Sequence, residues 1–304
     1  MEKTTGRAVN GAVMVCVANQ KGGVGKTTTA ISLAAGLANL GARVLLVDLD
    51  PQGNASTGLG IRIEEGEPST YGVLVDGDAL QPALQDTEIE RLSLLPSSLD
   101  LAGAEVELVP AFSREHRLER ALEPVREDFD IVLVDCPPSL GLLTINALVA
   151  ADEVLVPIQC EYYALEGLSQ LLRTVELVAD NLNRRLRVGG VVLTMFDART
   201  NLSQQVVEEV RGYFGDLTYS TVIPRSVRLS EAPSFGQPIT SYDPSSRGAR
   251  AYQRLAREVT LRLELPLELP EESGVERLLG GSFTVPASAP PSEVPAAVDE
   301  EAGA

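Results

Sequence analysis

The sequence predicts an α/β fold, a doubly wound and mostly parallel sheet with helices on both faces. Three observations predict it. Short apolar runs rich in β-branched residues recur along the chain, most of them separated by stretches with helical patterning. The first runs, VMVCV and VLLV, are apolar throughout rather than alternating, as strands covered on both faces are. A glycine-rich turn joins the first run to the first helix, and a second run follows, so a β-loop-α-β unit fills the first fifty residues.

Each element follows from its own residues. AVMVCVA (12–18) is the first buried strand. TTTAISLAAGLANL is a packed helix ended by Gly41, and RVLLVD (43–48) is the second strand. Further strands are LSLLP (92–96), DIVLVD (130–135), EVLVPI (153–158), GGVVLTMF (189–196) and YSTVI (219–223). Helices are expected over 115–127, 141–150, 162–181, 202–214 and 247–263. There is no internal repeat. Residues 12–265 form one expected domain. Residues 266–304, rich in Pro, Ala, Ser and acid, are an expected disordered tail, because they bury too little to offset ordering entropy. Residues 1–11 are a shorter flexible tail by the same reasoning.

Composition excludes several classes. Of 304 residues 44% are hydrophobic, ample for a packed core, yet no apolar run approaches the ~20 residues of a membrane span. No basic flank with an apolar stretch opens the chain, so no secretory signal is expected. Cys16, Cys136 and Cys160 are too far apart for a paired metal motif, and a reducing cytosol is the expected compartment. The net charge of −18 argues against nucleic acid at first sight, since phosphate contacts need cations. Its distribution argues otherwise: residues 53–180 carry −17 and 263–304 carry −8, while 1–52 carry +2 and 181–262 carry +5. The chain has three lysines, Lys3, Lys21 and Lys26, and the last two lie in one loop.

That loop is Gln20-Lys21-Gly22-Gly23-Val24-Gly25-Lys26-Thr27-Thr28. It follows a strand and opens a helix, the context of a phosphate-binding loop. Glycines let backbone N–H groups converge on phosphate oxygens, and the helix N-terminus adds a positive dipole. Lys26 is placed to reach the outer phosphates and the Thr27 hydroxyl to ligate Mg²⁺. The loop departs from G-x-x-x-x-G-K-[ST], with Gln20 at the first glycine position and a second lysine, Lys21, beside it. Asp48 and Asp50 stand at the carboxyl end of the second strand and Asp135 at the end of another. In a parallel sheet these ends face the ligand crevice, where carboxylates hold Mg²⁺ or orient water. Together these residues describe a nucleotide-hydrolysis site.

KGGVGKTTTA, VLLVDLDPQGNAS, VLVDCPPSLGLLTINAL, QCEYYALEGL and VIPRSVRLSEAPSFGQPI together resemble the ParA/Soj chromosome-partitioning ATPases, over about residues 13–262. These belong to the deviant Walker A class that also contains MinD. The resemblance implies that Lys21 reaches across an ATP-bound dimer to the partner's phosphates, with Lys26, Thr27 and Thr28 binding phosphate and Mg²⁺ within the subunit. It implies that Asp50 positions the hydrolytic water, with a possible water-mediated link to the metal, and that Asp135 belongs to the Mg²⁺ shell through water. Pro224 and Arg225 match a loop beside the adenine; Ser226 stands where the family often has Asn. It further implies an ATP-driven homodimer that binds double-stranded DNA without sequence preference. A ParB-type protein would stimulate hydrolysis and so release it, and the protein would be cytoplasmic and nucleoid-associated, with no membrane partner.

Residues 181–262 supply independent support for a DNA partner: 12 Arg, no Lys and seven acids. Arg199 follows a strand, Arg228 lies in the VRLSEAP loop, and Arg247, Arg250, Arg254 and Arg257 recur at helical spacing as one basic face. The alternative is a MinD-like membrane-surface ATPase positioning division machinery. That needs a basic amphipathic C-terminal helix, whereas this chain ends in an acidic Pro/Ala-rich stretch. A biosynthetic ligase on the same scaffold would need further acid–base residues, and the sequence displays none. No C-x-x-C accompanies Cys136, so an iron–sulfur carrier is not expected and the thiol is structural. His116, alone of its kind, is a surface residue. Tyr162 and Tyr163 are expected to pack at a helix start.

Overall fold

The computed structural model describes residues 11–64, 66–162, 164–165 and 168–269. The first strand, β1 (Val13–Val17), is buried along its whole length. Its side chains divide between two apolar clusters: Met14 and Cys16 enter one, while Val13, Val15 and Val17 enter the other. Each such valine contributes ~1.5–3 kcal/mol when fully buried. A strand that feeds two cores therefore has no polar alternation, which is why the runs read as continuous.

The chain continues through α1 (Lys26–Asn39), β2 (Val44–Asp48), α2 (Asn54–Gly58), β3 (Gln85–Asp86), β4 (Leu92–Leu95), α3 (Leu101–Glu107) and α4 (Arg117–Leu122). Next come β5 (Ile131–Asp135), α5 (Leu142–Ala150), β6 (Glu153–Gln159), α6 (Leu168–Asn181), β7 (Arg187–Phe196) and α7 (Asn201–Phe214). The last elements are β8 (Thr218–Pro224), α8 (Val227–Glu231), α9 (Ile239–Tyr242) and α10 (Arg247–Arg262). Eight strands form one sheet in the order β3-β4-β2-β5-β1-β6-β7-β8. All pairs are parallel except β3 with β4. Helices α3 to α7 cover one face and α1, α2 and α8 to α10 the other.

The doubly wound sheet and all seven expected strands are present. The short β3 was not expected, because two polar residues at a sheet edge carry no apolar signal. Two helices differ from expectation. The helix expected over 115–127 is broken: α4 ends at Leu122, and a 3₁₀ turn over Glu123–Val125 contains Pro124, which has no N–H to continue the ladder. The helix expected from 162 begins at Leu168. From there buried residues recur with helical spacing: Leu168, Leu171, Leu172, Val175 and Val178. Tyr162 lies in a turn before it, 74% exposed, rather than on the helix. Tyr163, Lys3 and all of the expected tails over 1–11 and 266–304 except residues 11 and 266–269 lie outside the described residues.

Helix α1 packs closely on α10. A Cβ on Gly36 would stand 3.0 Å from the Ala256 Cβ, and the buried Thr29 and Tyr252 hydroxyls are 3.0 Å apart. The hydroxyl of Ser246 caps α10 by accepting the Ala249 N–H.

Candidate nucleotide site

The site grows from the register of three neighbouring strands. Val17 lies opposite Asp135, and Asp135 opposite Asp48, so the carboxyl ends of β1, β5 and β2 finish level with one another. The order of connections reverses around β1, where open α/β sheets bind ligands. The glycine-rich loop leaves β1 at this point. Gly25 holds φ +88° and hands the chain to α1, and no side chain caps that helix end. Its first-turn N–H groups therefore face the crevice as an anion site. At Gly22 and Gly23 an added Cβ would meet nothing within 4 Å, so the loop is open on its outer side.

Two residues that sequence reasoning missed hold the loop in place. The Asn19 amide donates to the Pro157 carbonyl at 2.7 Å, and its Oδ1 accepts the Lys21 N–H at 3.0 Å. The Thr194 hydroxyl lies 2.8 Å from the Val24 carbonyl and 3.2 Å from that of Ile158. Thr194 was visible as the polar residue within VVLTMF; nothing in the sequence said what it would meet. Beside it Met195 adopts φ +54°, uncommon for a side-chain-bearing residue, with its Cε 3.9 Å from where a Gly25 Cβ would lie.

Lys26 is 7% exposed, and its Nζ donates to the Lys21 carbonyl at 3.2 Å. Burial lowers its pKa, against the opposing pull of Asp135, Cys136 and Asp50. The Lys21 side chain has no hydrogen bond or ion pair among the described residues and is only half-buried. The three carboxylates differ sharply. Asp48 accepts both the N–H and the hydroxyl of Ser56 at 2.7 Å and the Asp50 N–H at 3.2 Å. Burial nevertheless pushes its pKa up to about 6. Asp50 uses Oδ1 to accept the Gln52 N–H at 2.9 Å. Asp135 is fully buried and neither of its oxygens has a hydrogen-bond partner. Burial, then the neighbouring Asp48, raises its pKa well above the usual carboxylate range; the Thr27 hydroxyl and Lys26 offset part of this.

A buried carboxylate with both oxygens unsatisfied is costly unless a cation or donor completes it. The residues present therefore fit a nucleotide phosphate with a divalent cation. Among the described residues no group of three or more His, Cys, Asp or Glu side chains forms a metal cage. Mg²⁺, which keeps most of its ligands as water and phosphate, suits such a sparse donor set. Thr27 and Asp135 are the residues that would hold it. Asp50 stands near but is already engaged with its own turn.

Pro224 and Arg225 stand at the same end of the sheet. Pro224 lies opposite Phe196, and the Arg225 N–H donates to the Phe196 carbonyl at 2.9 Å. The arginines expected at DNA do not share one situation. Arg199 forms a two-bond pair with Asp197, at 2.8 and 2.6 Å. Arg228 pairs with Glu231 at 3.1 Å and lies 3.7 Å from Asp243. Arg247 and Arg250 are exposed on α10, whereas Arg254 and Arg257 are half-buried. His116 is half-buried against Glu119 at 2.8 Å, and all three cysteines are buried.

An open, mostly parallel sheet with a lysine-bearing glycine loop at its reversal point defines a P-loop nucleoside triphosphatase of the deviant type. Comparison with known proteins is specific beyond the class. A family profile described as an AAA domain matches residues 12–188. The sporulation initiation inhibitor protein Soj of Bacillus subtilis (strain 168) is 60% identical over 81% of this chain and 97% of its own. The chromosome partitioning protein ParA of Myxococcus xanthus (strain DK1622) is 55% identical over 82% of this chain and 88% of its own. Among solved structures, cobyrinic acid a,c-diamide synthase from Mycobacterium smegmatis, bound to an ATP analogue and magnesium, is 39% identical. It superposes with a TM-score of 0.74 over 86% of this chain and 100% of its own. The chain belongs to the ParA/Soj family of chromosome-partitioning ATPases.

Proposed function

We propose that this protein hydrolyses ATP with Mg²⁺ to switch between a monomer and an ATP-bound homodimer that binds double-stranded DNA without sequence preference. A ParB-type partner stimulates hydrolysis and so releases the protein from nucleoid DNA, and this cycle segregates chromosome or plasmid DNA. The observation that carries the reading is the seating of α1 on α10. One helix opens at the phosphate loop, and the other carries Arg247 and Arg250 on its exposed side. The buried Thr29–Tyr252 contact ties the two together.

In the subunit's own site, the α1 N-terminus and Lys26 bind and orient the phosphates, and Mg²⁺ when bound neutralises charge on them. Asp50 accepts a hydrogen bond from water and aims it at the outer phosphate. Lys21, whose side chain has no hydrogen bond or ion pair among the described residues, is available to a second subunit's phosphates. The exposed side chains of Leu99, Val106, Val109 and Phe112 around α3 support a covered face. That helix lies beside the loop after Asp135, since Glu105 presses on Gly141. Arg247 and Arg250, with Arg254 beside them, are the better-placed DNA contacts. Arg199 and Arg228 would first have to leave their acid partners.

The apolar face of α10 is spent on α1, and the acidic Pro/Ala-rich stretch after it is unlike the basic amphipathic C-terminal helix that the MinD-like alternative requires. Among the described residues no helix is long and apolar enough to cross a membrane.

The direct test is DNA binding with ATP, with ADP and without nucleotide, across a salt series. ATP-dependent binding that weakens steeply with salt is expected, and the Arg247→Ala, Arg250→Ala pair should lower the salt slope by about 2. Equal binding in all three states, or none in any, overturns the switch. Asp50→Ala is expected to keep ATP, accumulate ATP-bound dimers on size exclusion, and lose about a hundredfold or more in turnover. Unchanged steady-state turnover would remove Asp50 from the reaction.

A further inference from the structure

The turn that carries Asp50 is bracketed by a buried polar clamp. Asp48, at the end of β2, holds the Asp50 N–H with Oδ1 at 3.2 Å. With Oδ2 it takes both the N–H and the hydroxyl of Ser56, each at 2.7 Å. Ser56 is the third residue of α2, on the far side of the turn. The turn closes on itself through the Gly53 N–H to the Asp50 carbonyl at 2.9 Å and the Gln52 N–H to its carboxylate.

The clamp is tied to the sheet at two further points. The Ser56 hydroxyl accepts the Ser97 N–H at 3.0 Å, just beyond β4. The Thr70 hydroxyl donates towards the Asp48 carbonyl at 3.0 Å and lies 2.9 Å from that of Pro96. Asp48, Ser56, Ser97 and Thr70 are all buried. The Ser56 hydroxyl thus uses its one donor on Asp48 and one of its two lone pairs on the Ser97 N–H. Asp48 has its oxygens filled by protein donors, in contrast to the unpartnered Asp135.

We propose that Ser56 and Asp48 form a positioning clamp for Asp50, holding its carboxylate where the attacking water must be, and that Asp48 is not a metal ligand. The inference rests on reading Asp50 as the water-orienting residue. Ser56 touches neither nucleotide nor water; it acts through Asp48 and the turn. A displacement of the order of 1 Å in a group that orients a reactant costs about a hundredfold in rate, while the phosphate loop and Thr27, which follow β1 rather than β2, are untouched.

The test measures ATP turnover, the KM for ATP, affinity for a fluorescent ATP analogue and the Mg²⁺ concentration for half-maximal turnover. Ser56→Ala is expected to lower kcat by about tenfold to a hundredfold, with KM, analogue affinity and Mg²⁺ requirement near the wild-type values. Ser56→Thr, which keeps the hydroxyl, is expected to recover turnover. Where the alanine variant fails to fold, Ser56→Cys keeps the volume and weakens the bond. Wild-type turnover in Ser56→Ala overturns the clamp. So does a raised Mg²⁺ requirement with full turnover at saturating metal, which would make Asp48 part of the metal site. Asp50→Ala is measured alongside. If it is inactive while Ser56→Ala is fully active, only the clamp fails; if Asp50→Ala is itself active, the reading beneath it fails.

Discussion

Lys26→Ala is expected to raise the Kd for ATP by about a hundredfold or more, to the point where no binding is seen at micromolar nucleotide. Lys26 is a buried ammonium on the first residue of α1, held by the Lys21 carbonyl. Truncating one partner of a buried charge pair costs about 2–5 kcal/mol, and each 1.4 kcal/mol is about tenfold in affinity. The loss exceeds that of an exposed lysine because Asp135, Asp48 and Asp50 all lie close by. Without the ammonium their charges meet the incoming phosphates unopposed. Calorimetric titration with ATP and Mg²⁺ decides it, and wild-type affinity would defeat the site assignment. Near-native circular dichroism is expected, since the methylene stem makes only a small part of the core.

Asp135→Asn is expected to abolish Mg²⁺-dependent turnover while flattening the pH dependence of stability in the nucleotide-free protein. The folded-state pKa of Asp135 is raised, mainly by burial. Between the unfolded and folded pKa values the folded protein therefore holds a proton that the unfolded chain has released. Stability falls as pH rises wherever the folded state binds more protons. The wild type accordingly loses stability from about pH 4 upward through this group, and Asp48, raised to about 6, adds to the trend. The asparagine variant keeps only the Asp48 share. Urea unfolding at pH 4.5 and 7.5 should show a shallower decline in the variant. Parallel declines would mean that burial does not raise the Asp135 pKa in the folded protein. Adding Mg²⁺ and an ATP analogue at pH 7.5 should stabilise the wild type and leave the variant unchanged.

Much of this was legible in the chain. The central strands announce themselves because they are apolar on both faces, and the phosphate loop because its chemistry is packed into nine consecutive residues. What stayed hidden is long-range. Asn19 meets a carbonyl 138 positions away and Thr194 one 170 positions away, and single polar residues carry no local sign of such partners. The pairs of Arg199 with Asp197 and of Arg228 with Glu231 are different. Their spacings of two and three residues were in plain view, and counting arginines as one basic surface passed over them.

The sequence by itself determined the β-loop-α unit, the parallel sheet and the kind of ligand. These follow from neighbours in the chain: apolar runs, glycines and a lysine at a helix start. It did not separate Asp48 from Asp135, since LLVD and VLVD end their strands in the same way. Tertiary structure decided between them. The folding back of α2 brings Ser56 onto one oxygen of Asp48 while the Asp50 N–H takes the other. Neither oxygen of Asp135 has a hydrogen-bond partner, and the Thr27 hydroxyl and Lys26 stand near. A carboxylate's role is set by which donors the packing delivers to it, and those donors come from distant parts of the chain.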